Sequence, residues 1–154
     1  MSGLKVRGEK AQEALGAALA AVCPAACVIY LEGDLGVGKT TLARGFLRGL
    51  GHAGPVRSPT YTLLEPYDLP GRRCYHLDLY RLADPGELEY LGIRDLLQGD
   101  AILLVEWPEK GGGELPAADL IIYIRYDHDG RRLELEPSGA GWEQLVSRLK
   151  WPQA

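Results

Sequence analysis

Residues 33 to 40 read Gly33-Asp34-Leu35-Gly36-Val37-Gly38-Lys39-Thr40, a glycine-rich segment that ends in lysine and threonine. This glycine loop matches the pattern G-x-x-x-x-G-K-[ST] at every fixed position. An apolar stretch over 26–31 precedes it, and a helix-compatible stretch over 41–47 follows it. A strand, a glycine loop and a helix in that order let backbone N–H groups surround an anion at a helix N-terminus. The segment therefore predicts a nucleotide-phosphate site in preference to an ordinary glycine-rich turn.

Two side chains of the glycine loop are predicted to carry its chemistry. Lys39 is expected to reach the β- and γ-phosphates, and the Thr40 hydroxyl is expected to bind Mg²⁺. The predicted nucleotide-binding segment runs one residue further, and its members are Gly33, Asp34, Leu35, Gly36, Val37, Gly38, Lys39, Thr40 and Thr41.

Glu106 is the predicted second metal ligand. It directly follows the apolar run 102–105, and Trp107 and Pro108 end the strand there. A carboxylate at the carboxyl end of a buried strand faces the crevice where open α/β sheets bind ligands. Proteins with a phosphate-binding loop use such a carboxylate to hold Mg²⁺. The alternative is a solvent-facing glutamate at the start of a loop.

Two further polar residues are candidates on pattern alone. Asp78 lies between His76 and Tyr80 on the polar face of a predicted strand, where it could orient or deprotonate an attacking water. A cross-strand ion pair explains Asp78 equally well, and His76 fits a half-buried strand histidine better than a base. Thr60 falls where phosphate-loop hydrolases place a switch segment, although an ordered turn is an equal alternative.

The hydrophobic periodicity predicts one mixed α/β domain over residues 1–154. Apolar residues at helical spacing predict helices over about 9–22, from the glycine loop to about residue 50, and again near the end of the chain. Alternating or continuous apolar runs bounded by turn residues predict strands over 26–32, 61–67, 73–81, 101–105, 120–126 and 132–136. Asp84 and Pro85 are predicted to begin a further helix.

Composition narrows the class of function. The formal net charge is −4 and basic residues form no stripe, so the chain is poorly suited to binding nucleic acid alone. No signal peptide and no apolar run of about 20 residues is evident, which favours a cytoplasmic protein that does not contact membranes. The three cysteines have no metal-ligand spacing and are interpreted as reduced thiols.

The identity of the base can be argued from what the sequence lacks. Guanine readers of this class use an [NT]-K-x-D element whose aspartate accepts from the guanine edge. This chain contains no asparagine, and none of its five lysines is followed two residues later by aspartate. ATP is therefore predicted in preference to GTP.

Three more segments, read with the glycine loop, carry a resemblance. They are Ser58-Pro59-Thr60-Tyr61-Thr62-Leu63, His76-Leu77-Asp78-Leu79-Tyr80-Arg81-Leu82 and Val105-Glu106-Trp107-Pro108. Over roughly residues 8 to 135 the chain resembles the TsaE family of small bacterial ATPases of tRNA threonylcarbamoyladenosine (t⁶A) synthesis. The resemblance implies a P-loop NTPase domain, a mixed central sheet flanked by helices, and a β-hairpin inserted after the first βα unit.

The resemblance also implies partners and residue roles. It implies that the protein hydrolyses ATP to ADP with Mg²⁺ and acts with the TsaB–TsaD complex, which modifies A37 of tRNAs reading ANN codons. Contact with tRNA would then be indirect, through that complex. By position, Asp78 is similar to the family's catalytic-site aspartate and Thr60 to its switch threonine, while Glu9 and Arg131 match positions that flank the nucleotide.

Two rival functions share the glycine loop. A small-molecule kinase is disfavoured because such kinases close an arginine-rich lid between helices, whereas strands follow Glu106 here. A nucleotide-gated adaptor without turnover would use the same residues as a slow ATPase. Phosphate release with and without the partner complex separates these two.

Overall fold

The computed structural model describes residues 2–96 and 98–151. Its strands are β1 (Ser2–Val6), β2 (Cys27–Gly33), β3 (Leu64–Leu69), β4 (Arg72–Asp78), β5 (Ile102–Glu106), β6 (Leu120–Asp127) and β7 (Gly130–Pro137). Its helices are α1 (Glu9–Val22), α2 (Lys39–Gly49), α3 (Glu87–Tyr90), α4 (Ile93–Leu96), α5 (Ala140–Ser147) and a 3₁₀ helix over Pro108–Glu114.

The strands form one mixed sheet in the order β1-β7-β6-β2-β5-β4-β3. β2 is parallel to both of its neighbours, β5 and β6, and β4 is parallel to β5. β3 pairs antiparallel with β4, while β7 and β1 extend the other side antiparallel. The hairpin of β3 and β4 follows the first βα unit, which confirms the predicted α/β class with a mixed sheet and an inserted hairpin.

Helices α1 and α2 pack together on one face of the sheet, above a core that includes Leu15, Ile29 and Leu42. The two helices approach closely because glycines face the partner helix. A Cβ on Gly16 would lie 2.3 Å from the Leu42 carbonyl oxygen, and one on Gly45 would lie 2.0 Å from the Glu13 carbonyl oxygen. This close packing fixes α1 beside the first turn of α2, where the glycine loop ends.

The short helices α3 and α4 cover the opposite face beside β4 and β5. Leu88 and Ile93 pack there against Leu77 and Val105 in a second apolar cluster. β5 is therefore buried along its whole length, as its continuous apolar run predicted.

The structure corrects the predicted bounds of the hairpin. The strands predicted over 61–67 and 73–81 are instead Leu64–Leu69 and Arg72–Asp78. Leu63 has a positive φ of 67°, and its N–H donates to the Pro59 carbonyl at 2.8 Å, so residues 59–63 form a turn. At the carboxyl end of β4, residues 79–81 lie outside the strand, and the Tyr80 side chain is exposed.

His76 and Asp78 share one face of β4, opposite Leu77, as the alternation predicted, but that face is not exposed. His76 and Asp78 are both buried, because β4 lies between β5 and β3 and is covered on both faces. Strand β1 was not predicted, since its five residues gain their stability from pairing with β7 at the other end of the chain. Helix α3 begins at Glu87, two residues later than predicted from Asp84 as N-cap and Pro85 as first helical residue, although the Asp84 carboxylate does accept the Gly86 N–H at 3.0 Å.

Among residues 2–96 and 98–151, no helix combines the length and the apolar character that crossing a membrane requires. Cys23, Cys27 and Cys74 are buried free thiols, in agreement with their interpretation as reduced cysteines.

Candidate active site

The sheet topology brings the predicted site residues to one edge. β2, β4 and β5 are parallel neighbours that end at Gly33, Asp78 and Glu106. In the strand register Glu106 pairs with Leu31 of β2 on one side and with Asp78 of β4 on the other. The carboxyl ends of three strands therefore meet where the glycine loop begins, which is the usual ligand crevice of an open α/β sheet.

The glycine loop has the backbone conformation that its glycines allow. Gly36 and Gly38 have φ values of 79° and 108°, which residues with a side chain rarely adopt. The Gly38 carbonyl accepts the Leu42 N–H at 3.0 Å as α2 begins at Lys39. Left-handed glycines beside the first N–H groups of a helix form a concave site suited to an anion.

Three side chains hold the carbonyl groups of this loop. Gln12 of α1 donates from Nε2 to the Gly38 carbonyl at 2.8 Å and to the Val37 carbonyl at 3.4 Å. Arg131 donates from Nε to the Val37 carbonyl at 2.9 Å, and the Tyr126 hydroxyl donates to the Leu35 carbonyl at 3.0 Å. These contacts engage the carbonyl groups of Leu35, Val37 and Gly38 and hold the loop in place at the start of α2.

Lys39 is buried at the base of this loop. Its Nζ donates to the Gly33 carbonyl and lies 3.5 Å from the centroid of the Trp107 ring. Burial lowers the pKa of Lys39, and nearby carboxylates, Glu106 first, oppose that shift. Trp107 takes a left-handed conformation, with φ 57°, directly after β5, which turns its ring over the lysine.

Thr40, Glu106 and His76 form a continuous hydrogen-bonded chain. The Thr40 hydroxyl donates to Glu106 Oε1 at 3.0 Å and to Oε2 at 3.2 Å. His76 Nε2 lies 2.6 Å from Glu106 Oε2, and the two side chains are 0% and 3% exposed. A hydroxyl and a carboxylate are hard oxygen donors, and two protein ligands are typical for Mg²⁺, which keeps several waters. This donor set fits the predicted metal.

Asp78 completes the polar side of the cleft. Its Oδ1 accepts the Tyr80 N–H at 3.0 Å. Burial is the main cause that raises the pKa of Asp78, and the neighbouring Glu106 raises it further. The cleft has a volume of about 410 Å³ and is lined by Leu35, Gly36, Gly38, Lys39, Thr40, Thr41, Thr60, Asp78, Tyr80, Arg81, Glu106 and Trp107.

The structure brings together all four predicted catalytic residues, Lys39, Thr60, Asp78 and Glu106. Gly33 and Asp34 line an adjoining cleft of about 500 Å³, which shares Trp107 with the first. Arg131 lies behind the loop and over the Tyr126 ring, 4.4 Å from its centroid. Glu9 is not among the lining residues of either cleft: its side chain is 68% exposed and pairs with Arg44 of α2 at 3.3 Å.

Sequence reasoning did not identify Gln12 or Trp107 as site residues. For Gln12 a signal was present, since it falls three and seven positions before Leu15 and Leu19 and so shares the buried face of α1. A polar side chain on such a face needs a partner inside the protein. Trp107 offered no comparable signal, because its position over Lys39 depends on a turn at the end of β5.

The fold and this site define a class. A glycine loop joins a buried parallel strand to a helix that begins with lysine and threonine, and a carboxylate ends the neighbouring strand. Proteins built in this way have the P-loop NTPase fold.

Comparisons with known proteins identify the family within that class. The family model described as Threonylcarbamoyl adenosine biosynthesis protein TsaE matches residues 6–133. A Haemophilus influenzae protein named tRNA threonylcarbamoyladenosine biosynthesis protein TsaE is 59% identical over 110 residues, 71% of this chain and 70% of the relative. A Bacillus subtilis protein of the same name is 40% identical over 123 residues, 79% of this chain and 77% of the relative.

A solved structure agrees with these matches. The crystal structure of Bacillus subtilis YdiB superposes with a TM-score of 0.79 at 32% identity, covering 97% of this chain and 95% of that one. The chain therefore belongs to the TsaE family.

Proposed function

We propose that this protein is the Mg²⁺-dependent ATPase subunit of tRNA t⁶A37 synthesis and that it works with the TsaB–TsaD complex. The observation that carries the proposal is the convergence of Lys39, Thr40, Asp78 and Glu106 on one cleft beside the glycine loop. Membership of the TsaE family supports the pathway, because the relatives are named for threonylcarbamoyladenosine biosynthesis.

In this proposal the glycine loop and Lys39 bind the phosphates of ATP. The loop N–H groups would donate to the phosphate oxygens at the N-terminus of α2. Lys39 would exchange its contact with the Gly33 carbonyl for the β- and γ-phosphates, where its full charge is better compensated. Thr40 and Glu106 would hold Mg²⁺, which supplies neutralisation of the phosphate charge when bound.

Asp78 and Thr60 act in the proposal on the water that attacks the γ-phosphate. Asp78 is buried beside Glu106 at the end of β4, so its carboxylate can orient that water or accept its proton. Thr60 lies in the exposed turn after α2, where its hydroxyl is 2.6 Å from the Ser58 hydroxyl and the next residue, Tyr61, is 81% exposed. An exposed turn with such local side-chain contacts can change its conformation when a γ-phosphate is present.

The net charge of the chain bears on whether it contacts tRNA directly. With a net charge of −4 the chain lacks the clustered Lys and Arg that phosphate-backbone affinity requires. We therefore assign contact with tRNA to the TsaB–TsaD complex, and the ATPase acts on that complex.

The experiment that tests the proposal is steady-state phosphate release. Slow Mg²⁺-dependent release from ATP is expected from the protein alone, faster release with TsaB–TsaD, and none in EDTA. GTP should be a moderately poorer substrate, because no element that reads the guanine edge is present in the sequence. If ATP binds but no phosphate is released with Mg²⁺, either from the protein alone or with TsaB–TsaD, the protein is not an ATPase, and a nucleotide-gated adaptor is favoured.

A variant of Gln12 tests whether the loop is held from outside the cleft. Gln12→Leu keeps a similar volume on the buried face of α1 and removes both hydrogen bonds to the loop carbonyls. We expect ADP affinity, measured by calorimetry, to fall about five- to thirtyfold, since the one or two net hydrogen bonds lost contribute about 1 kcal/mol each.

The matched control is Gln144→Leu, a substitution of the same type on the exposed side of α5. It should leave ADP affinity unchanged. Equal affinities for Gln12→Leu and the parent protein would mean that the loop keeps its shape without α1.

A further inference from the structure

His76 is the most deeply buried polar side chain of the described structure, and the mechanism above does not use it. It is 0% exposed and lies in β4, two residues before Asp78. Its Nε2 is 2.6 Å from Glu106 Oε2. Its other ring nitrogen, Nδ1, is the one buried side-chain nitrogen or oxygen without a hydrogen-bond partner in the part of the chain that the structure describes.

The hydrogen bond has a defined direction. An ionised carboxylate only accepts, so Nε2 carries the proton and donates it to Glu106. In the neutral ring Nδ1 is then an acceptor with no donor facing it. A buried acceptor without a partner lowers stability, and a leucine could fill the same space without that penalty. Stability alone therefore does not explain a histidine here, and its contribution must lie in the contact with Glu106.

The strand pairing makes His76 a rigid support. β4 and β5 are paired over five residues, with His76 beside Leu104 and Asp78 beside Glu106. The second donor to Glu106 is Thr40, whose hydroxyl is the other proposed ligand of Mg²⁺. A Thr40 hydroxyl that bound a metal ion through a lone pair would keep its single O–H for at most one Glu106 oxygen. His76 would then continue to hold Oε2.

We propose that His76 is a positioning residue that holds Glu106 Oε2, so that Oε1 stays directed at Thr40 and the metal position. The inference rests on the proposed function, since it concerns the same Mg²⁺ site. His76 acts through its hydrogen bond to Glu106. Donors of this kind orient metal-binding side chains, and their loss typically weakens metal affinity about 10- to 100-fold.

The test measures the Mg²⁺ dependence of ADP binding, independently of turnover. ADP affinity is determined in EDTA and over a Mg²⁺ titration for the parent, His76→Leu and His76→Gln. Leucine fills the site without a donor, while the glutamine amide can place an N–H near the position of Nε2. For His76→Leu we expect an unchanged ADP affinity in EDTA, an Mg²⁺ midpoint raised about 10-fold or more, and an equal or higher Tm. His76→Gln should restore most of the midpoint.

Each outcome decides between the explanations. An Mg²⁺ midpoint for His76→Leu within about twofold of the parent, or a His76→Gln midpoint as poor as that of His76→Leu, would overturn the inference. If His76→Leu does not fold, His76→Asn replaces it, because the shorter amide cannot reach Glu106 and should raise the midpoint relative to His76→Gln. A parent protein whose ADP affinity does not change with Mg²⁺ would overturn the proposed metal site itself, and with it the role of His76.

Discussion

Replacing Lys39 with alanine is expected to reduce ATP turnover at least about a hundredfold, the loss typical when a donor to transition-state charge is removed. Lys39 is the buried cation at the base of the glycine loop, where its Nζ donates to the Gly33 carbonyl and lies over the Trp107 ring. No other side chain of the loop carries a positive charge. The charge that develops on the β- and γ-phosphates would then have no ammonium group beside it.

Phosphate release measures this effect, and two further variants separate it from loss of folding. Lys39→Met keeps most of the buried volume and should lose turnover to the same degree with a Tm close to that of the parent. Lys10→Ala, at an exposed position of α1, should keep full activity. Turnover of Lys39→Ala within about twofold of the parent, in a folded protein, would mean that this loop is not the active site.

The parts of the fold and site that the sequence predicted are those encoded locally. The glycine loop, the helix over 9–22 and the buried strand before Glu106 each have a pattern that identifies them within about 15 residues. Because β2, β4 and β5 are parallel, the carboxyl ends of these strands lie at one edge, and the topology alone brings Asp78 and Glu106 to the loop.

The parts that the sequence did not predict depend on contacts between distant segments. Strand β1 exists through its pairing with β7, and Gln12 reaches the loop because glycines let α1 approach α2 closely. The alternation in β4 placed His76 and Asp78 on one face, but that face is buried because it lies beside Glu106 and Thr40, on the α2 side of the sheet. Neither the pairing nor the burial of that face can be read from a short window of sequence.

Substitution of the buried Asp78 is expected to affect ATP hydrolysis and not nucleotide binding. Asp78→Asn should keep ATP binding and docking on TsaB–TsaD but lower hydrolysis about 10²- to 10⁴-fold, the usual contribution of a general base. The asparagine can still accept the Tyr80 N–H through its Oδ1, so the local turn should remain intact. Asp100→Asn, at an exposed position, is the matched control and should hydrolyse ATP at the parent rate.

The pH dependence follows from the pKa of Asp78, which burial and Glu106 raise above its ordinary value. A base must be ionised to act, so hydrolysis by the parent protein should fall as the pH drops through that raised pKa. The free energy of unfolding changes with pH in the opposite direction from hydrolysis. A carboxyl group whose pKa is raised in the folded state favours folding while it is protonated, and this contribution is lost as the pH rises through the raised pKa. At neutral pH, without nucleotide or Mg²⁺, Asp78→Asn should therefore have a higher Tm than the parent, although it is inactive. A lower Tm together with retained hydrolysis would show that Asp78 supports the fold and not the reaction.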